Sequence, residues 1–417
     1  MTSALKQALL AGAVCVAALA TASRADTDFS RIQRGKYLVD AGDCKDCHTA
    51  DNGKPFAGGR PLQTPFGVVY SANITPDRTT GIGAWSGDQF YRALHEGIDA
   101  GGHRLYPAFP YPYYTHVTRR DVDDIHAYLQ SIAPVSNRPP RNKLPFPLDE
   151  RTVMHVWNWM YFKDGTFKPD PKKSQQWNRG AYLVEGLGHC GACHTPKNFA
   201  GADETGSALQ GGNLQNWFAP DLGPDLRAGL GHWSAEDVVE YLKTGRNKYS
   251  NATGPMSEVV QYSTSQLTDG DLHAIATYLK DLPKRSQGGG NSGNNTKPSV
   301  DTNVANAGKA IFGDQCAECH GADGAGEPTF FPPLKGNNNV QQADPTTVIR
   351  VILEGARSVP TKARPTPLSM PAFGWKLTDA QIAAVATYVR SAWGNAAPPV
   401  TAGQVAPVRE DVGTSSD

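Results

Sequence analysis

The pentapeptide Cys-x-x-Cys-His occurs three times in this chain, as Cys44 to His48, Cys190 to His194 and Cys316 to His320. At the chain's own Cys and His frequencies about 0.003 such matches would arise by chance, so the pattern is built in. Two thiols spaced this way add to the vinyl groups of a haem, and the adjacent histidine becomes the proximal iron ligand. A redox-active Cys-x-x-Cys pair has no need of the histidine. A zinc site needs a second Cys or His pair, and none of the three has one within about twenty residues. The sequence therefore predicts three covalently bound haem c groups, anchored by Cys44 and Cys47, Cys190 and Cys193, and Cys316 and Cys319. His48, His194 and His320 are the predicted proximal ligands. Such a chain must wrap around large flat apolar cofactors, which fill core volume that side chains would otherwise supply.

The seventh cysteine, Cys15, lies in residues 1–25, where Lys6, an apolar run from Ala8 to Ala20 and the site Ser23-Arg24-Ala25 describe a signal peptide cut before Asp26. Export suits covalent haem attachment and leaves no spare thiol for disulfides. Removing Lys6 and Arg24 with the leader leaves 38 of the 40 basic residues against 40 acidic ones, a balance that argues against nucleic acid as a partner. No later apolar run approaches the roughly 18 to 20 residues of a membrane span, so membrane association is expected to be peripheral or through a partner.

Around the motifs the chain repeats itself. Arg34-Gly35-Lys36-Tyr37-Leu38-Val39 precedes the first, Arg179-Gly180-Ala181-Tyr182-Leu183-Val184 the second and Ala307-Gly308-Lys309-Ala310-Ile311-Phe312 the third, each reading as a short helix. Gly-Ala-Trp85-Ser86 and Gly-His-Trp233-Ser234 then open helices with serine caps, and Asp344-Pro345-Thr346 is the third counterpart. Amphipathic helices over Thr118 to Leu129, Thr268 to Leu279 and Thr378 to Arg390 close the repeats. The expectation is an all-α chain of three consecutive class I cytochrome c domains joined by polar linkers. The domains are placed at 26–168, 169–284 and 301–395, with a flexible linker over 285–300 and an extended or disordered tail over 396–417.

A proximal histidine leaves one iron position, which a thioether fills in electron-transfer cytochromes c. Met256 and Met370, in proline-bearing loops 62 and 50 residues beyond their motif histidines, are the expected distal ligands. The first repeat has Phe109 at the matching place, and phenylalanine cannot ligate iron. Met154, in the apolar stretch Val153 to Phe162, is the first choice there; His103 or His116 is the second, and a five-coordinate iron the third. Trp85 and Trp233 suit either hydrogen bonds to haem propionates or plain packing. The cluster Trp157, Trp159, Tyr161 and Phe162 suits burial between the first two repeats, or a membrane or partner surface. No nucleophile-base constellation or phosphate-binding loop appears, so substrate chemistry is expected elsewhere.

The order of Arg-Gly-x-Tyr-Leu, Cys-x-x-Cys-His-Thr, Asn73-Ile74-Thr75-Pro76-Asp77, Gly81-Ile82-Gly83-Ala84-Trp85, Tyr106-Pro107-Ala108-Phe109-Pro110-Tyr111 and Gly254-Pro255-Met256-Ser257-Glu258 resembles the triheme cytochrome c subunits of bacterial membrane-bound dehydrogenases. The resemblance implies a non-catalytic electron-transfer subunit. Its source would be a catalytic dehydrogenase subunit carrying flavin, pyrroloquinoline quinone or molybdenum, and its acceptor ubiquinone or the respiratory chain at the periplasmic face of the inner membrane. Phe109 departs from that family, where many relatives have methionine. The rival readings are a stand-alone, peroxidase-like haem enzyme using an open first haem, and a free periplasmic carrier.

Overall fold

The computed structural model describes residues 28–283, 298–327 and 330–415. The predicted signal peptide and most of the predicted linker lie outside the described residues.

Each repeat is built on two crossed helices. Residues 28–41 pack on Arg119–Ser131, Gln175–Tyr182 on Asp269–Lys280, and Thr302–Gln315 on Asp379–Ser391. The crossings explain the glycine shared by the three leading sequences. A Cβ on Gly35 would stand 1.9 Å from the Asp124 carbonyl oxygen, one on Gly180 1.9 Å from that of Ala274, and one on Gly308 2.1 Å from that of Ala384. The closing helices start where the sequence predicts, with Thr118, Thr268 and Thr378 side chains each accepting the backbone N–H three residues on. Their apolar positions fall on one face, as with Val122, Ile125 and Leu129, all buried. Ser86 and Ser234 likewise cap Gly87–Glu96 and Ala235–Thr244 through reciprocal bonds with Gln89 and Asp237.

The second leading helix differs from the first in one respect. Eleven positions separate Arg179 from Cys190, against ten between Arg34 and Cys44. The extra residue is absorbed as a π-helical turn over Leu183–Leu187, closed by the 2.7 Å bond from Gly188 N–H to the Leu183 carbonyl.

Among the described residues three small antiparallel hairpins interrupt the helices: Pro61–Thr64 with Gly67–Tyr70, Gln210–Leu214 with Trp217–Asp221, and Ala356–Arg357 with Ser369–Met370. The second turns through Gln215 and Asn216, both at positive φ, a geometry that matches strand twist. The fold is thus mostly helical, with a strand pair in each repeat.

Two expectations need correction. The tail is not extended: Ala402–Ser415 is helical. Thr401 and Gln404 exchange hydrogen bonds at its start, Val405 is fully buried, and Arg409 bonds Asp379 and the carbonyls of Gly374 and Leu377. Its Pro and Gly content hides the apolar spacing of Val405, Val408 and Val412, which pack on the third repeat. The boundary placed between residues 168 and 169 does not separate two cores either. One continuous apolar cluster runs from Leu38, Val122 and Ile125 to Leu183, Leu272 and Leu279.

Candidate haem-attachment sites

Each Cys-x-x-Cys-His motif folds as one helical turn, closed by the histidine N–H donating to the carbonyl of the first cysteine at 3.1, 3.0 and 3.0 Å in chain order. Both sulfurs and the imidazole therefore emerge from a single rigid turn. Every motif imidazole then meets a backbone carbonyl through Nδ1: His48 to Ala72 at 2.6 Å, His194 to Pro220 at 2.7 Å and His320 to Pro332 at 3.0 Å. A carbonyl only accepts, so the proton sits on Nδ1 and the Nε2 lone pair points outward, the tautomer a metal requires. Burial pushes all three imidazoles below their ordinary pKa, and the backbone bond opposes this only in part. They stay neutral, as ligands must.

The sulfurs point the same way. The six cysteines form no disulfides. Burial pushes Cys44 and Cys190 up to about 12, and Cys193 and Cys316 up to about 11. Protonated thiols are poor redox catalysts and poor zinc ligands. Among the described residues no group of three or more His, Cys, Asp or Glu is placed to hold a bare metal ion. Paired sulfurs with one outward-facing neutral imidazole fit a covalently attached porphyrin.

The distal side distinguishes the repeats. Met256 lies in the first turn of Pro255–Tyr262 and packs with Tyr241 against Ala252, Val260 and Val359. Met370 ends the short strand paired with Ala356. In the first repeat Phe109 packs into the core that contains Cys44 and meets the Tyr114 ring at 5.5 Å. Met154 is buried on helix Val153–Tyr161, and Tyr111, which donates to Asn158 of that helix at 3.1 Å, packs between helix and loop. His103 is exposed and sits 3.2 Å from Asp99, while His116 Nδ1 is 3.0 Å from the Glu185 carbonyl in the second repeat. Trp233 stacks on Tyr249 and Trp85 packs on the core; neither indole N–H has a protein acceptor among the described residues. Of the other aromatic cluster, Trp157 is half-buried, whereas Trp159 is 84 % exposed rather than buried between repeats.

Several residues that join the sites carry no signal in the sequence. Tyr114 donates to the carbonyl of Gly42, two residues before the first motif, and its ring packs edge-on against His189, just before the second. Arg60 holds Asp46, inside the first motif, and Glu258, two residues past Met256, both at 2.5 Å. Beyond these, repeats one and two touch reciprocally. Tyr37 donates to Asp271 at 2.6 Å and Tyr182 donates to Asp121 at 2.5 Å, while the N–H groups of Thr268 and Thr118 each donate to the same tyrosine oxygen at 3.3 Å. The same patch is used from both sides, as at a two-fold interface. The third repeat attaches differently, through Thr347 to Phe218, Arg350 over Trp217, Arg364 to Glu240, and Val359 beside Met256. The helix Pro255–Tyr262 of the second repeat thus meets both the first repeat, at Glu258, and the third, beside Met256.

These features define a c-type cytochrome, and the cytochrome c family signature matches residues 32–133 and 305–393. The chain is 39 % identical to the gluconate 2-dehydrogenase cytochrome c subunit of Pantoea cypripedii, over 97 % of this chain and 94 % of that one. It is 39 % identical to the cytochrome c subunit of the quinone alcohol dehydrogenase of Komagataeibacter europaeus, over 95 % and 87 %. It is also 39 % identical to the fructose dehydrogenase cytochrome subunit of Gluconobacter japonicus, over 91 % and 82 %. The chain belongs to the family of cytochrome c subunits of gluconate, alcohol and fructose dehydrogenases. That family implies covalently bound haem c.

Proposed function

We propose that the chain binds three haem c groups in three class I cytochrome c domains and carries electrons from a catalytic dehydrogenase subunit to ubiquinone or the respiratory chain. The observation that carries this reading is the thrice-repeated arrangement of two sulfurs and a carbonyl-anchored imidazole, which the second motif shares although it lies outside the matched residues. Bound haem supplies a one-electron iron couple at each site. The protein's part is to set ligands and spacing. Met256 and Met370 are the proposed thioether ligands. The buried Nε groups of Arg92, Arg104 and Arg246, which lack partners among the described residues, are suited to haem carboxylates. Arg60 and Tyr114 fix the first site against the second, so that electrons travel a short, rigid route.

For the first haem Met154 is the proposed sixth ligand, since it is buried where Met160 of the same helix is half exposed. The second reading, an open first haem with peroxidase-like chemistry, is favoured by Phe109 in the core where a ligand would stand. Spectroscopy separates them. Carbon monoxide should leave the reduced wild-type spectrum unchanged and bind about one third of the haem in Met154→Ala; binding to the wild type refutes Met154. The three-haem reading itself fails if a pyridine haemochrome assay finds fewer than three equivalents.

The proposed setting is the periplasmic face of the inner membrane, after removal of the leader. No helix among the described residues is long and apolar enough to cross a membrane. Peripheral attachment is therefore part of the proposal, and co-purification with a flavin, quinone or molybdenum dehydrogenase tests the partner.

A further inference from the structure

The outer face of Val153–Tyr161 is bare of apolar cover from the rest of the described chain. Its inner face is fixed: Met154 and Asn158 are buried, Tyr111 holds Asn158, and Trp157 Nε1 donates to the Ala200 carbonyl at 2.9 Å. On the opposite face Val156, Trp159 and Met160, spaced as one helical stripe, are 59, 84 and 53 % exposed. Phe199, beside the Ala200 that holds the helix, is 89 % exposed. Phe146, on the segment leading into the helix, is 83 % exposed. The other large apolar side chains exposed among the described residues, such as Phe29, Leu226 and Trp375, are spread over the rest of the chain. Isolated exposed apolar residues need no account, but a stripe on one rigid helix with a phenylalanine beside it does.

The segments that flank the helix in sequence carry a small positive excess. Arg138, Arg141 and Lys143 precede the helix, and Lys163 and Lys168 follow it. All five are exposed and form no ion pair among the described residues. The unpaired acids in the same segment are Asp149, Glu150 and Asp164, so the excess is positive although the chain as a whole is not. A Trp, a Met and a Phe on and beside a short helix, flanked by free cations, match the interfacial zone of an anionic bilayer.

We propose that the face formed by Val156, Trp159, Met160 and Phe199 is where this subunit seats on an anionic phospholipid surface. The helix lies in the plane of the interface, with the indole at headgroup depth and the basic rim against lipid phosphates. This rests on the proposed peripheral attachment and deepens it by naming the surface and its ligand.

The test uses the haem-loaded full chain and co-sedimentation with vesicles of phosphatidylglycerol and phosphatidylethanolamine, or of phosphatidylcholine alone. The wild type should bind the anionic vesicles and release with salt, with weaker binding to phosphatidylcholine. Trp159→Gln combined with Phe199→Ser should lower that affinity at least ~10-fold with unchanged visible spectrum and circular dichroism. Trp375→Gln, equally exposed on the third repeat, should leave binding as it was. Wild-type affinity in the double variant overturns the proposal, as does equal binding to both vesicle types. Loss of dehydrogenase co-purification in the double variant without loss of vesicle binding also overturns it, assigning the face to a protein. A protein with three haem equivalents that ignores vesicles sinks this surface alone; fewer than three sinks the functional reading instead.

Discussion

The reciprocal joint between the first two repeats allows the same substitution to be made in two equivalent places. Tyr182 is nearly inaccessible and donates at 2.5 Å to Asp121, itself buried; Tyr37 is half-buried and donates at 2.6 Å to Asp271. Each hydroxyl also accepts the cap N–H of the opposing closing helix. A hydrogen bond to a carboxylate contributes about 1.5–3 kcal/mol when buried, and less where water can replace it. Tyr182→Phe should therefore cost about 2 kcal/mol, because Asp121 keeps only its side-chain bond to Arg34 and the Thr118 N–H is left without an acceptor. Tyr37→Phe should cost about 1 kcal/mol, since water reaches the vacated place. For a unit of this size those costs correspond to melting shifts of about 4–8 °C and about 2–4 °C. Thermal unfolding of the haem-loaded protein, followed by circular dichroism in the far-ultraviolet and haem regions, reads both. A larger shift for Tyr37→Phe than for Tyr182→Phe, or no shift in either, would refute burial as the quantity that sets the strength of this joint.

Gly308→Ala should unsettle the third repeat by about 3 kcal/mol, because the new Cβ meets the Ala384 backbone. Gly313→Ala, with open space on the same helix, should instead gain about 0.5–1 kcal/mol; urea midpoints compare the two. Arg60→Met removes the cation between Asp46 and Glu258, whose side chains are 12 and 38 % exposed. It should cost about 2–3 kcal/mol, discounted from a fully buried pair, and should shift the potentials of the haems proposed at the first two motifs in a redox titration while leaving that proposed at the third motif unchanged. Burial would raise Asp271, but hydrogen bonds from Arg179 and Tyr37 outweigh it and hold the carboxyl below its ordinary 3.8. Its stabilisation is complete above that value and lost as pH falls through the lower folded value. The denaturation midpoint should thus drop as pH falls below about 4, less steeply in Asp271→Asn.

Much of the site is legible in the sequence because local chemistry dictates it. A Cys-x-x-Cys-His turn needs no distant residue to define its purpose, and serine or threonine ahead of an amphipathic run marks a helix start whatever surrounds it. The carbonyls that orient the three imidazoles are not legible, since a backbone oxygen carries no residue signature. Ala72, Pro220 and Pro332 lie 24, 26 and 12 residues from their histidines. The tail misleads for the opposite reason: its glycine, proline and serine content suggests disorder, while the apolar spacing that docks it is short.

The joint between repeats lies in plain view as repeated sequence, yet repetition alone does not reveal a contact. Arg34 and Tyr37 recur as Arg179 and Tyr182, which by itself says only that the two helices are alike. The structure separates the two roles: Arg34 bonds Asp121 and Asp124, and Arg179 bonds Asp271, each on its own closing helix, whereas each tyrosine reaches the equivalent aspartate of the other repeat. The third repeat has Ala307 and Ala310 at these places. Lacking the tyrosine, it has no means of joining in the same way, and it docks through Thr347, Arg350 and Val359 instead. Where a repeat keeps its haem motif but loses a polar pair on its leading helix, the missing pair marks the copy that sits outside the reciprocal joint. By that logic Ala310→Tyr alone should not draw the third repeat into a new pairing, because both acceptor aspartates, Asp121 and Asp271, are already engaged by Tyr182 and Tyr37.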